Sequence, residues 1–104
     1  MNHQIFIIMY DISDNRKRQK VADLLERYGY ERLQLSIFTG LQAPYDNKEL
    51  WKKLEKFIDI EHFAGDKIYC FAVNKSNFEE MKTLGAVNID IDYLLGRKRV
   101  IIIS

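Results

Sequence analysis

The sequence predicts an α+β sandwich in which two helices cover one face of a four-stranded antiparallel sheet. Three observations predict it. Ile5 to Tyr10 is an unbroken β-branched and aromatic run too short for a helix, Arg32 to Phe38 alternates, and Lys67 to Val73 is again strand-like. Between these runs lie two segments with apolar residues at helical spacing. The length, 104 residues, suits one domain and leaves no room for a separate cofactor domain.

Ile5 to Tyr10 reads as a central strand buried on both faces, because an unbroken apolar run leaves neither face polar. The stretch from Asp11 to Asn15 then supplies side-chain oxygens suited to capping a helix. Val21, Leu24, Leu25 and Tyr28 form that helix's apolar stripe, and Gly29 ends it. From Arg32 to Phe38, Leu33, Leu35 and Ile37 point one way and Gln34, Ser36 and Phe38 the other. This predicts a half-buried strand that continues or bends through Gly40 into a hairpin near Leu41. Asp46 precedes Glu49 by three, like a capping box. Leu50, Leu54, Phe57 and Ile58, with Trp51 beside them, give the second helix its apolar face. Gly65-Asp66 marks a turn, and Lys67 to Val73 reads as apolar on both faces. Phe78, Met81 and Lys82 allow one or two helical turns ended by Gly85. Residues 86–96 carry no clear pattern, and Arg97 to Ser104 reads as a strand.

This order is the ferredoxin-like split βαβ pattern, βαββαβ, with an additional C-terminal strand. Residues 1–75 are expected to form the core. Residues 76–104 are expected to be an extension of the same single domain, whose strand swaps to a partner or pairs at an edge. Two helices cover only one face of the sheet, and a second copy is the economical cover for the other, so a homodimer is expected. The Val-Ile-Ile-Ile strand fits it by pairing with the partner's sheet edge.

Composition narrows the function classes. At 47% hydrophobic residues with one Pro, the chain is globular and not a disordered tail. A single Cys excludes an intramolecular disulfide framework and a multi-cysteine zinc site. No apolar run approaches the ~20 residues needed to span a bilayer. Met1 to Tyr10 has neither a basic n-region nor a cleavage site, so a cytoplasmic location away from membranes is expected. The net charge of +1 says nothing of partners, because clusters of opposite sign can hide inside it.

Asp11 closes the first strand, where a rigid element meets a loop. Such a carboxylate supplies one or two oxygens to a hard cation such as Mg²⁺, with water and substrate phosphates completing the shell. In a two-fold dimer, two copies can clamp one ion. Equally, Asp11 reads as a helix cap or a solvated loop acid. Arg16, Lys17, Arg18 and Lys20 place four cations in five residues, with Arg16 and Lys20 on one helix face. They read as a phosphate-binding patch or as a solvated first turn. Arg32 is placed to join them, as are Arg97, Lys98 and Arg99, which also read as gatekeepers before a sticky strand. Tyr10 and Phe38 read as packing residues, Ser36 has no partner base, His3 and His62 are isolated, and Cys70 reads as a buried inert thiol.

Three motifs in order carry a resemblance: Ile8-Met9-Tyr10-Asp11-Ile12-Ser13-Asp14; then Arg16-Lys17-Arg18 with Val21-Ala22-Asp23-Leu24-Leu25 and Tyr28-Gly29; then Arg32-Leu33-Gln34-Leu35-Ser36-Ile37-Phe38-Thr39-Gly40. They closely resemble the CRISPR-associated protein 2 family over the first forty residues. Thr39 stands where that family usually has Glu, Leu35 where it has Tyr, and Lys20 where it often has Arg. The resemblance implies a homodimer of ferredoxin-like chains and a metal site, Mg²⁺ or Mn²⁺, formed by Asp11 of both chains. It implies a metal-dependent endonuclease on RNA or DNA with Asp11 as its catalytic residue, and Arg18, Lys20 and Arg32 as basic contacts. Tyr10 and Phe38 take the family's aromatic positions and, with Ser36 of the third motif, are its supporting residues. It further implies a dimer that binds duplex DNA or single-stranded RNA and serves as the scaffold between integrase subunits in spacer acquisition. The alternatives are a non-catalytic adaptor dimer and a toxin-type ribonuclease of the virulence-associated protein D family, which shares the fold and the Tyr-Asp strand end.

Four consecutive β-branched residues at Val100 to Ile103 need edge pairing to satisfy their backbone groups. Deleting Val100 to Ser104 is therefore expected to weaken the dimer or expose an aggregating sheet edge. A truncated chain that stays dimeric and soluble by light scattering at micromolar concentration would refute this.

Overall fold

β1 (Gln4–Asp11) is the strand around which the sheet assembles. In this computed structural model, which describes residues 4–58 and 65–85, it pairs antiparallel with β3 (Ile37–Gly40) on one side and β4 (Lys67–Asn74) on the other. β2 (Glu31–Gln34) pairs with the far edge of β3, so the sheet order is β2-β3-β1-β4. Between strands lie α1 (Asn15–Arg27), a 3₁₀ turn at Pro44–Asp46 and α2 (Lys48–Phe57), with a short α3 (Lys75–Glu79) after β4. The expected βαββαβ order holds. Residues 86–96, the C-terminal strand with Arg97, Lys98 and Arg99, and both His3 and His62 lie outside the described residues.

Period two along β1 sends Ile8 and Tyr10 to the helical side, where they meet Phe38 of β3 and Val21, Leu24 and Leu25 of α1. Leu50 and Leu54 of α2 close the same cluster. Ile8, Phe38, Val21, Leu25 and Leu50 have no exposed surface. Burying a side chain of this kind contributes about 1.5–3 kcal/mol. Ile12, just past the strand, joins them and draws the connecting loop down onto the core. No helix of the described residues is long and apolar enough to cross a membrane.

Asp14 caps α1, accepting hydrogen bonds from the Arg16 and Lys17 amides at 2.8 and 3.0 Å. At the other end Gly29 takes a φ of +92°, and this left-handed turn lets the Tyr30 amide return to the Leu25 carbonyl at 3.0 Å.

Four expectations are corrected. First, Arg32 to Phe38 is not one strand: it is the β2–β3 hairpin, turning at Leu35-Ser36 rather than near Leu41. The carbonyls at this turn are taken by β1, with the Tyr10 amide donating to Ser36 and the Tyr10 hydroxyl to Leu35, each at 3.1 Å. Leu35 sits at the tip, 82% exposed. Second, α2 is capped by Asn47, whose side chain accepts from the Leu50 amide at 3.1 Å, because Asp46 is spent in the 3₁₀ turn begun by Pro44. Third, β4 is an edge strand among the described residues, with Tyr69 and Phe71 exposed, so it is not apolar-buried on both faces. Fourth, β1 is fully buried only toward the helices; on its other face Ile7 is partly exposed and Met9 exposed.

Gly40 is required by packing, not by its backbone angle. A Cβ there would run into the Tyr30 ring, which is itself held by its hydroxyl's hydrogen bond to the Gln42 carbonyl at 2.7 Å. Gly40→Ala is expected to destabilise the fold by about 1–3 kcal/mol, the usual cost of overpacking. Urea unfolding of the variant measures it; a midpoint equal to that of the parent would show the ring moving aside freely.

Candidate nucleic-acid interface and metal position

Asp11 is the last residue of β1, and the strand's pleat places it with Ile5, Ile7 and Met9 on the face away from α1 and α2. Directly opposed residues of antiparallel strands share a face. On β4 these are Val73 opposite Ile5, Phe71 opposite Ile7, Tyr69 opposite Met9 and Lys67 opposite Asp11. One end of this face is covered: Phe78 of α3 packs on Ile5, with Ile7, Leu33, Val73 and Met81 around them. The Asp11 end is open. Met9, Tyr69 and Phe71 are 37%, 54% and 44% exposed there, beside the exposed Asp11 carboxylate. Thr39, on β3 opposite Ile7, is buried and its hydroxyl has no partner, so this position offers no ligand at the surface.

The donor chemistry at Asp11 suits a hard cation. Mg²⁺ takes one or two protein carboxylates and keeps the rest of its shell for water and phosphate oxygens. One chain contributes one carboxylate here, and among the described residues no three His, Cys, Asp or Glu side chains come together. The residues fit the ion when two copies share it.

Tyr10, Phe38, Arg32 and Ser36 gather instead on the helical side and around the hairpin. The Tyr10 and Phe38 rings stack at 6.2 Å, and the Arg32 guanidinium lies 5.2 Å above the centre of Phe38. Burial raises the Tyr10 hydroxyl above its usual value, while Arg32 beside it pulls the other way. The Arg32 Nε is 4.0 Å from Glu26 at the end of α1. Tyr10 and Phe38 thus pack the core, as expected, and Phe38 also supports Arg32. Cys70 is half-buried rather than fully buried, and what burial it has pushes its thiol up to about 11.

The four-cation run does not act as one patch. Helical geometry turns Lys17 toward β4, where its Nζ lies 4.0 Å from the buried Asp66 carboxylate. Arg18 is exposed, and its charge acts on the Tyr10 hydroxyl less than that of Arg32 does. Arg16 and Lys20 share the remaining stripe, exposed to solvent. Five candidate cations therefore divide among three directions around α1.

Sequence reasoning missed two residues. Asp66, read only as part of a turn, accepts hydrogen bonds from the Ser13 amide and hydroxyl at 3.3 and 3.5 Å, tying the loop after Asp11 to the start of β4. Lys67 stands across the ladder from Asp11, a cation beside the open carboxylate. Both depend on strand register, for which the sequence around Gly65 carries no signal.

Residues 4–81 match the model of the family described as CRISPR associated protein Cas2. A Pyrobaculum aerophilum relative named CRISPR-associated endoribonuclease Cas2 2 is 42% identical over 79 residues, covering 76% of this chain and 84% of the relative. A Thermoproteus tenax relative, named as a fusion of CRISPR-associated endonuclease Cas1 with endonuclease Cas2, is 40% identical over 70 residues, or 62% of this chain and 26% of the fusion. The chain spans 26%, 61% and 57% of the length of three curated relatives. The crystal structure of Streptococcus pyogenes Cas2 shares the fold, with a TM-score of 0.63 and 24% identity over 78% of this chain and 99% of that one.

The cap on α1 gives the basic helix a pH dependence. Hydrogen bonds from the Lys17 and Arg16 amides hold the Asp14 carboxyl below its ordinary value of 3.8. A lowered folded-state pKa stabilises above the unfolded value and loses that contribution as pH falls through the folded one. Protection of the Arg16 and Lys17 amides, measured by hydrogen exchange against intrinsic rates, is expected to fall below pH ~4. Asp14→Asn caps without titrating and should hold its protection constant; a parent profile equally flat would remove Asp14 from this role.

Proposed function

Because this chain belongs to the CRISPR associated protein Cas2 family, we propose that it is a cytoplasmic, metal-dependent nuclease of antiviral defence, acting on RNA or DNA phosphodiesters as a homodimer. The same dimer binds duplex DNA as the scaffold beside the CRISPR integrase during spacer acquisition. The observation that carries this reading is the position of Asp11 at the rim of an open apolar sheet face. Packing that face against a second copy buries Met9, Tyr69 and Phe71 and carries two Asp11 carboxylates toward one axis.

In this arrangement the Asp11 pair binds Mg²⁺, with Mn²⁺ as a substitute. When bound, the cation neutralises phosphoryl charge and lowers the pKa of a coordinated water. Lys67, opposite Asp11, meets the charge of the phosphate being cut. Arg18 and Arg32, on the helical side of the sheet, offer a separate contact for the phosphate backbone, with Phe38 fixing Arg32 from below. Asp66 holds the loop after Asp11 through Ser13 and so positions the strand end. Ser36 supports the site through its carbonyl, which keeps β1 and the hairpin together, and not as a nucleophile. The relatives named as endoribonucleases support the cleavage reading. The Cas1–Cas2 fusion, whose name gives both parts as endonucleases, supports an integrase partner; the second reading is an adaptor dimer in which Asp11 does no chemistry.

Asp11→Asn decides between the two. It is expected to abolish most Mg²⁺-dependent cleavage of labelled RNA and duplex DNA while leaving the dimer intact by light scattering. Equal cleavage by parent and variant would refute the catalytic role of Asp11 and leave the adaptor reading.

A further inference from the structure

The open end of the sheet face carries one charge of each sign. Of the residues that β1 and β4 present to that face, only Asp11 and Lys67 are charged, and they stand across the ladder from each other. Directly opposed residues place their Cβ atoms about 4.5–5.5 Å apart, so the ammonium and the carboxylate are within reach of one another. Both side chains are exposed. The ion pairs among the described residues are Lys17–Asp66, Arg32–Glu26 and Lys53–Glu49, so neither Asp11 nor Lys67 is committed to one within the chain. The acid next to Lys67 in sequence, Asp66, is buried and already taken up by Ser13 and Lys17.

Closing this face against a second copy, as in the dimer proposed above, brings two Asp11 carboxylates together beside the apolar surface of Met9, Tyr69 and Phe71. Like charges repel more strongly where water is removed from around them. A divalent cation between the carboxylates cancels their charge. One chain offers one carboxylate, however, so the pair has to be assembled for both to hold the ion. The two-fold axis that doubles Asp11 also doubles Lys67. Without a cation the two carboxylates and two ammonium groups are neutral as a set. With a divalent cation added, the same set is positively charged.

We propose that Lys67 is the resident counter-ion of the shared Asp11 site. In the metal-free dimer it pairs with Asp11 of the partner subunit across the two-fold axis, and it competes with the divalent cation for the carboxylates. This rests on the dimer and metal reading above and adds regulation to it. Once displaced, the ammonium is free to meet a phosphate oxygen, so the substrate's charge finds Lys67 available only where the site is loaded. Cation and phosphate binding are then coupled, each favouring the other, through one side chain.

The test reads two quantities whose changes have opposite sign. Protein labelled at its N-terminal amine is followed in EDTA by fluorescence-detected sedimentation from nanomolar to micromolar concentration, and Mn²⁺ uptake is measured by calorimetry. The parent is compared with Lys67→Gln, Lys67→Arg, Asp11→Asn and the double variant of Asp11→Asn with Lys67→Gln, each checked for folding by circular dichroism. Lys67→Gln removes two exposed ion pairs, each worth up to about fivefold, and is expected to weaken the metal-free dimer about tenfold. By removing positive charge beside the cation, it is expected to tighten Mn²⁺ binding about tenfold. Lys67→Arg keeps the charge and should keep the metal-free dimer. On the Asp11→Asn background Lys67→Gln should no longer weaken the dimer, because the pair is already broken. Equal weakening on both backgrounds would show Lys67 acting on the interface without Asp11, and an unchanged or lower Mn²⁺ affinity in Lys67→Gln would show no competition. Either result overturns the inference and leaves the dimer and its metal site standing. A parent that is monomeric throughout, or dimeric without taking up Mn²⁺, removes the reading beneath it and this inference as well.

Discussion

Everything in this subunit hangs on the double pairing of β1. All eight of its residues are matched to β4, and its centre is matched to β3. A strand hydrogen-bonded on both sides has no freedom to slip, because a one-residue shift would turn Ile8 and Tyr10 out of the core and Met9 and Asp11 into it. The same pleat that buries Ile8 therefore fixes which way Asp11 looks. The carboxylate is carried by the most constrained element of the fold and faces the side that the helices leave bare. A functional group on a strand end inherits the strand's rigidity while keeping its own access to solvent.

α1 meets a different constraint. Its buried stripe of Val21, Leu24 and Leu25 faces the sheet, so the cations at its start are divided by angle around the axis. One reaches down to Asp66, one acts on Tyr10, and Arg16 and Lys20 face solvent. Cations at a helix N-terminus oppose the macrodipole at a cost of a few tenths of a kcal/mol each. The Asp14 carboxylate, accepting two amides of that first turn, acts in the opposite sense. The helix keeps a basic start because its cap is acidic.

The hairpin shows how a period-two pattern can mislead. Leu33, Leu35 and Ile37 alternate with polar neighbours, as a half-buried strand would. Yet Leu35 is a turn residue at the surface, and Phe38, which the alternation set on the opposite face from the leucines, is the core residue. What decides the bend is β1: Tyr10 donates to both turn carbonyls, and Phe38 must lie opposite Ile8 to fill the space under α1. A local pattern holds no record of a partner that lies more than twenty residues away in the chain.

The chain's own pattern determined the order of elements, the helix stripes, the cap-rich loop after Asp11 and the candidate residues themselves, because propensity, periodicity and capping are local and are written in neighbouring positions. The motifs from Ile8 to Gly40 were also enough to point to the family. Tertiary structure alone decided the rest. It separated Asp11 from Tyr10, Phe38 and Arg32 by the thickness of the sheet, and split the cation run among three directions. It brought Lys67 opposite Asp11 and Asp66 to Ser13. Each of these is a meeting of residues distant in sequence, and such meetings follow from strand register and helix packing, which only the assembled core selects.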